Sequence, residues 1–228
     1  RFGIIDRDGK YIEASYFMAA LVDYLIITRG WKSGTVVRNI PASHFIDAVV
    51  GLHEGIGIRY VPVGFKYIGE VMCGAPEDFL LGGESANGLT VHNHIPEKDG
   101  IVANLLALEM VSATGKSISQ LIDELYAKVG RYVFKQPNFR ISEKQQNEML
   151  ERLEEHPPKQ VSGKKIVETI TPSDVKNWNG YKFILEDGSW FALRLSGTEP
   201  LVRCYAESTD EEKVEKLISE VEDWVKNG

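Results

Sequence analysis

Apolar residues in this chain alternate between helical and strand-like runs, and that alternation constrains the fold more than any single motif. Ala14 to Ile27 is apolar on most faces and predicts a buried helix. Thr35-Val-Val-Arg reads as a short strand, Ser43 as the N-cap of a helix over His44 to Glu54, and Gly57-Ile-Arg-Tyr-Val-Pro-Val as a second strand. Phe65 to Met72 predicts a short helix and Phe79-Leu-Leu-Gly-Gly a third strand. After a loop come a helix from about Ile101 to Ser112 and another opened by the capping box Ser117-x-x-Gln120. Strands alternating with helices predict an α/β domain with a partly parallel sheet. Such sheets keep ligands at the turns beyond their strand ends.

The pattern then changes. Lys128 to Ile141 reads as mostly extended, with a domain boundary at Pro137-Asn138. A polar helix from Ser142 to Glu155 starts on the capping box Ser142-x-x-Gln145 and is stopped by His156-Pro157-Pro158. Ile166-Val-Glu-Thr-Ile, Tyr181-Lys-Phe-Ile-Leu, Trp190-Phe-Ala-Leu and Leu201-Val-Arg-Cys-Tyr read as strands. The final helix spans about Asp210 to Lys226, with Thr209-x-x-Glu212 at its start, acidic residues early and Lys226 late, as the macrodipole favours. Antiparallel strands with helices at each end predict a small α+β unit. At the other end, two apolar runs around Asp6-Arg7-Asp8-Gly9 predict a hairpin over residues 1–12. A lone hairpin is marginal in water, so its sheet partners are expected upstream, in a longer protein of which this chain is the C-terminal part.

Composition narrows the function classes. A chain of 228 residues holds one large domain or two small ones. The net charge of −7 argues against nucleic acid or an anionic membrane as a partner, and no apolar run is long enough to span a bilayer or reads as a signal peptide. Cys73 and Cys204 are too few for a disulfide framework, which favours a reducing, cytoplasmic setting.

The chemistry gathers at Arg194-Leu-Ser-Gly-Thr-Glu-Pro-Leu-Val-Arg203, between two strand-like runs. Each arginine offers a planar fork of donors that matches a phosphate edge. The hydroxyls of Ser196 and Thr198, with main-chain N–H groups curved at Gly197, suit an anion-binding concavity. A polar hairpin with two solvated arginines has the same composition.

RLSGTEPLVRCYAES resembles the C-terminal phosphate loop of the α-D-phosphohexomutases, whose pattern is Arg-x-Ser-Gly-Thr-Glu-Pro followed by Arg-x-Tyr-x-Glu. Arg194, Ser196, Gly197, Thr198, Glu199, Pro200, Arg203, Tyr205 and Glu207 occupy every fixed position. The resemblance implies domain 3, an α/β layer over 13–137 with a mixed sheet and flanking helices. It implies next domain 4, a TATA-box-protein-like α+β domain over 138–228. Residues 1–12 would be the end of the preceding metal-loop domain. In the family a phosphoserine exchanges phosphoryl groups with a hexose phosphate through a hexose 1,6-bisphosphate, with Mg²⁺ held by Asp-Gly-Asp-x-Asp-Arg. Arg1 would be the last residue of that loop, a catalytic group beside the phosphoserine, and the three aspartates would lie just upstream.

Two further stretches carry the resemblance. Gly82-Gly-Glu-Ser-Ala-Asn-Gly88 follows a strand; on composition it is a solvated glycine-rich turn or a carboxylate loop for polyol hydroxyls. The family's sugar loop here is Gly-Glu-x-Ser-Gly. Glu84 keeps the carboxylate, while Ala86 stands at the serine and Asn87 at the glycine, so Ser85 or Asn87 would have to supply the lost hydroxyl contact. His92-Asn-His-Ile-Pro-Glu-Lys-Asp-Gly100 resembles a phosphoglucomutase segment whose lysine lies in the active site. Lys98 thereby inherits a role in proton transfer or phosphate contact. By itself Lys98 is a surface lysine heading a helix capped by Asp99, and Lys66 is helix surface. His92 and His94 share a face if extended, but lack a third metal ligand at motif spacing.

Overall fold

Two hydrophobic cores form along the chain, one within Arg1–Arg131 and one within Tyr132–Gly228. The structure is a computed structural model and describes residues 1–196 and 201–227.

In the first unit, β1 (Ile4–Ile5) and β2 (Tyr11–Ile12) pair antiparallel, and Gly9 closes their turn at φ 82°. Residues 1–12, expected to belong to a preceding domain, cluster with this unit. The cause is local: Phe2 packs edge-on against Phe17, with ring centroids 5.2 Å apart. The Asp6 carboxylate also accepts the Ser119 N–H at 2.8 Å.

Helix α1 (Ala14–Arg29) starts where Glu13 accepts the Ser15 N–H and ends at left-handed Gly30. Its Phe17, Leu21, Val22 and Leu25 are buried. Strand β3 (Gly34–Asn39) is central, parallel to both β4 (Ile56–Val61) and β5 (Phe79–Glu84). Strand β6 (Gly88–Val91), falling where the sequence suggests a loop, pairs antiparallel with β5 to give the order β4-β3-β5-β6. The sheet is mixed.

Helix α2 (Phe45–Val50) is shorter than expected because the chain turns at Gly51 and Gly55. A Cβ at Gly55 would lie 2.4 Å from the Lys32 carbonyl oxygen. The N-cap is His44 rather than the expected Ser43, whose hydroxyl accepts the Phe45 N–H at 3.0 Å from one residue further out. Helices α3 (Phe65–Gly74), α4 (Gly100–Thr114) and α5 (Ile118–Val129) complete the unit. Phe65, Ile68 and Met72 of α3 pack with Val37, Val61 and Phe79 of the sheet.

The second unit contains β7 (Val133–Lys135), β8 (Asn138–Arg140), α6 (Glu143–Glu155), β9 (Gln160–Val161), β10 (Lys164–Ile170), β11 (Gly180–Leu185), β12 (Trp190–Leu195), β13 (Leu201–Ser208) and α7 (Glu211–Asn227). It begins before the boundary expected at 137, because β7 pairs with the far end of β13, Ser208 opposite Val133. Lys128 and Val129 are helical rather than extended. The antiparallel order is β7-β13-β12-β11-β10-β9, with β8 also on β13.

Strand alternation divides this sheet into two faces. Phe183, Phe191, Leu193, Val202 and Cys204 share a core with Met149 and Leu153 of α6 and Val214, Leu217 and Val221 of α7. The intervening residues, Lys182, Trp190, Arg194, Arg203, Tyr205 and Glu207, therefore lie on the opposite face. On that face the Lys182 ammonium sits 3.8 Å from the Trp190 ring centroid, and the Trp190 indole donates to Glu207 at 2.7 Å.

Candidate functional site

Each unit holds one of the constellations expected from sequence. In the second, Arg194 and Arg203 are direct cross-strand partners, followed by Leu195 opposite Val202. The Ser196 N–H donates to the Leu201 carbonyl at 3.1 Å and extends the ladder into the turn. That N–H is therefore used by the turn rather than presented to an anion. Gly197 and Thr198 lie outside the described residues.

Both arginines stand on the face opposite α6 and α7. Asn179 fixes the first of them, accepting from Arg194 Nε at 2.7 Å. Tyr205 shares the face. Burial raises the phenol's pKa, and the guanidiniums of Arg194 and Arg203 oppose that shift. Like charges directly opposite one another in a sheet are destabilising. A dianion between the forks offsets that repulsion, attracting both guanidiniums and supplying both with acceptors. Asn179 escaped the sequence reading: it is an isolated loop asparagine whose link to Arg194 depends on strand pairing.

In the first unit, Arg1, Glu84 and Lys98 belong to three separate stretches, and the charges of Lys98 and Arg1 both act on Glu84. Glu84 ends β5, and its Oε1 accepts the Gly64 N–H at 3.1 Å. Its register partner is Gly88, where a Cβ would come within 2.9 Å of Glu84 Oε2. Burial raises the Glu84 pKa, while the Gly64 N–H, Lys98 and Arg1 partly offset that effect. The Lys98 ammonium lies 5.2 Å from the Phe65 ring centroid and pairs with Glu97 at 2.8 Å. Arg1 is held by close backbone packing, since a Cβ at Gly100 would meet the Arg1 carbonyl oxygen at 2.0 Å. Next to it, the Phe2 N–H donates to the Asn87 carbonyl at 3.1 Å.

The other candidates separate from this cluster. Ser85 is only 2% exposed, and its N–H points to Asn39 Oδ1 at 3.4 Å. It is packed inside the unit, not displayed beside Glu84. Asn87 takes φ 64°, a conformation asparagine tolerates where most side chains do not, and its amide donates to the Tyr11 hydroxyl at 2.6 Å. Lys66 is exposed over the Tyr67 ring. His92 contacts the Phe79 carbonyl at 2.9 Å, whereas His94 contacts Asp99 at 2.9 Å, so the two histidines have different partners. Asp99 also caps α4, accepting the N–H groups of Ile101 and Val102. Among the described residues no group of three or more His, Cys, Asp or Glu is placed to hold a metal.

Residues 13–129 match the family described as phosphoglucomutase/phosphomannomutase, alpha/beta/alpha domain III, and residues 138–223 match its C-terminal domain. A probable phosphoglucosamine mutase of Pyrococcus horikoshii is 26% identical across 100% of this chain and 46% of its own length. A phosphoglucomutase of Komagataeibacter xylinus is 30% identical across 91% of this chain and 39% of its own. The crystal structure of a putative phosphomannomutase from Thermus thermophilus superposes with a TM-score of 0.75 at 26% identity, covering 98% of this chain and 43% of that one. The chain thus spans less than half the length of these relatives. With both of its units matched in order, the chain belongs to the phosphoglucomutase/phosphomannomutase family.

Proposed function

We propose that this chain is the substrate-gripping C-terminal part of a phosphohexomutase that interconverts a hexose 1-phosphate and a hexose 6-phosphate, with glucose as the preferred sugar. The observation that carries the reading is the Arg194–Arg203 pair, two guanidiniums on one sheet face beside the turn that bears Ser196. They grip the phosphate that is not reacting, helped by Ser196, Gly197 and Thr198. Glu84 accepts hydrogen bonds from sugar hydroxyls, and burial among apolar groups strengthens such contacts. Ser85 supports that loop from inside. Lys98, beside Glu84, supplies positive charge or a proton near the reacting phosphate, and Arg1 neutralises charge on the phosphoserine side.

The parent's reaction transfers a phosphoryl group from a phosphoserine to a substrate hydroxyl; the resulting hexose 1,6-bisphosphate reorients and returns its other phosphate to the serine. Positioning and electrostatics carry such transfers. Mg²⁺ is implied by the family resemblance, which assigns its ligands to the portion of the parent that precedes Arg1. A sheet with α6 and α7 on one face supports the TATA-box-protein-like reading of the second unit. Two free cysteines and an acidic composition support a cytoplasmic setting, without nucleic acid or membrane as partner.

A second reading, a non-catalytic phosphosugar-binding protein, is favoured by Ala86 at the family's serine position and by the burial of Ser85. A coupled assay of glucose 1-phosphate turnover separates them. The parent is expected to turn over glucose faster than mannose or glucosamine phosphates, while this chain alone binds weakly and is inactive. Turnover by this chain alone contradicts the division of labour; an inactive parent that still binds phosphosugar favours the second reading.

A further inference from the structure

Helix α4 is apolar on two opposite sides. Ala103, Ala107 and Met110 are buried, while Ile101 is 74% exposed, Leu105 57% and Leu108 66%. Positions 101, 105 and 108 follow the i, i+4, i+7 spacing of one helix stripe. Large aliphatic side chains grouped in this way mark a contact surface, whereas scattered single ones do not. The nearby Glu109 is committed elsewhere, accepting from Tyr24 at 2.9 Å and from Arg29 at 2.7 Å. Residues 101–108 themselves carry no charged side chain.

The position of Arg1 identifies the occupant. Its carbonyl packs against Gly100 at the first turn of α4, one residue from Ile101. In relatives such as the Pyrococcus protein, this chain accounts for 46% of the length. Its units match domain III and the C-terminal domain, so the relatives' additional residues precede them. Polypeptide preceding Arg1 thus emerges at the end of the exposed stripe.

We propose that Ile101, Leu105 and Leu108 form the docking face for the preceding portion of the parent polypeptide, which covers them with an apolar surface of its own. The inference rests on reading this chain as the C-terminal part of a longer protein. It does not depend on the parent being an active mutase.

The test compares this chain with the full-length parent by hydroxyl-radical footprinting, without substrate. Labelling of Leu105 and Leu108 is expected to be several-fold lower in the parent. The double substitution Leu105→Asp with Leu108→Asp is expected to lower the parent's thermal midpoint while leaving that of this chain unchanged or raised. Equal labelling in both proteins overturns the proposal. So does a dimer of the parent that the double substitution converts to monomer, or parent binding to phosphatidylcholine vesicles that it abolishes. Because footprinting uses no turnover, an inactive parent that protects the stripe defeats the mutase reading and leaves the docking face intact.

Discussion

Arg194 and Arg203 face one another across β12 and β13 as register partners, on the side of the sheet away from α6 and α7. Two guanidiniums placed this way repel one another, and a dianion between them offsets that repulsion by attracting both. Asn179 holds the first arginine through its Nε, and an arginine held in this way costs less to order around a ligand.

Replacing either arginine separates binding from stability. A hydrogen bond to a charged group contributes roughly 1.5–3 kcal/mol, so Arg194→Ala or Arg203→Ala is expected to weaken glucose 1,6-bisphosphate binding about 10- to 100-fold in calorimetric titration. The empty chain should unfold at an equal or slightly higher temperature once the repulsion is removed. Lysine at either position should restore charge without restoring full affinity, because it lacks the planar fork.

Glu84 predicts a specific pH dependence. Its folded-state pKa is raised by burial, so the folded chain holds this proton more tightly than the unfolded chain. Its contribution to stability is most favourable below the ordinary glutamate pKa of about 4.3 and is lost as pH rises through the folded value. Glu84→Gln should therefore unfold later than the parent residue at pH 7, with the difference shrinking toward pH 4. It should also weaken hexose phosphate binding. Thermal melts across that range check the first effect and titration the second.

Arg38 is 2% exposed; its Nε donates to Asp47 Oδ1 at 2.7 Å and its Nη2 to Asp47 Oδ2, while Nη1 donates to the Asn39, Ile40 and Ala42 carbonyls. Asp47→Ala strands that cation and is expected to cost about 3 kcal/mol in urea unfolding. A loss below half of that would show that water replaces the carboxylate.

Gly100→Ala forces a methyl group against the Arg1 carbonyl. A cost of about 1–3 kcal/mol is expected from such overpacking. Hydrogen exchange at the Phe2 N–H, which donates to Asn87, should accelerate, and Glu84 should lose the favourable charge of Arg1.

Much of this architecture was legible where local chemistry determines structure. The capping boxes at Ser117 and Ser142 form as their spacing requires. The strand expected over Trp190-Phe-Ala-Leu also forms, as part of β12. What escaped depends on contacts distant in sequence. Asn179 meets Arg194 only through strand pairing, and Arg38 is buried by a salt bridge that its neighbours do not announce. Ser85 looked available in a glycine-rich loop, but β5 and β6 pair around it and turn it inward. The shortening of α2 lay in Gly55, whose need for a bare Cα arises from Lys32 across a turn.

The central claim is tested most directly by a crystal of this chain soaked with glucose 6-phosphate. Phosphate density is expected within hydrogen-bond distance of both the Arg194 and Arg203 guanidiniums, with the sugar extending away from the turn. Two guanidiniums splayed into solvent around an empty site, at a ligand concentration that saturates binding in solution, would contradict it.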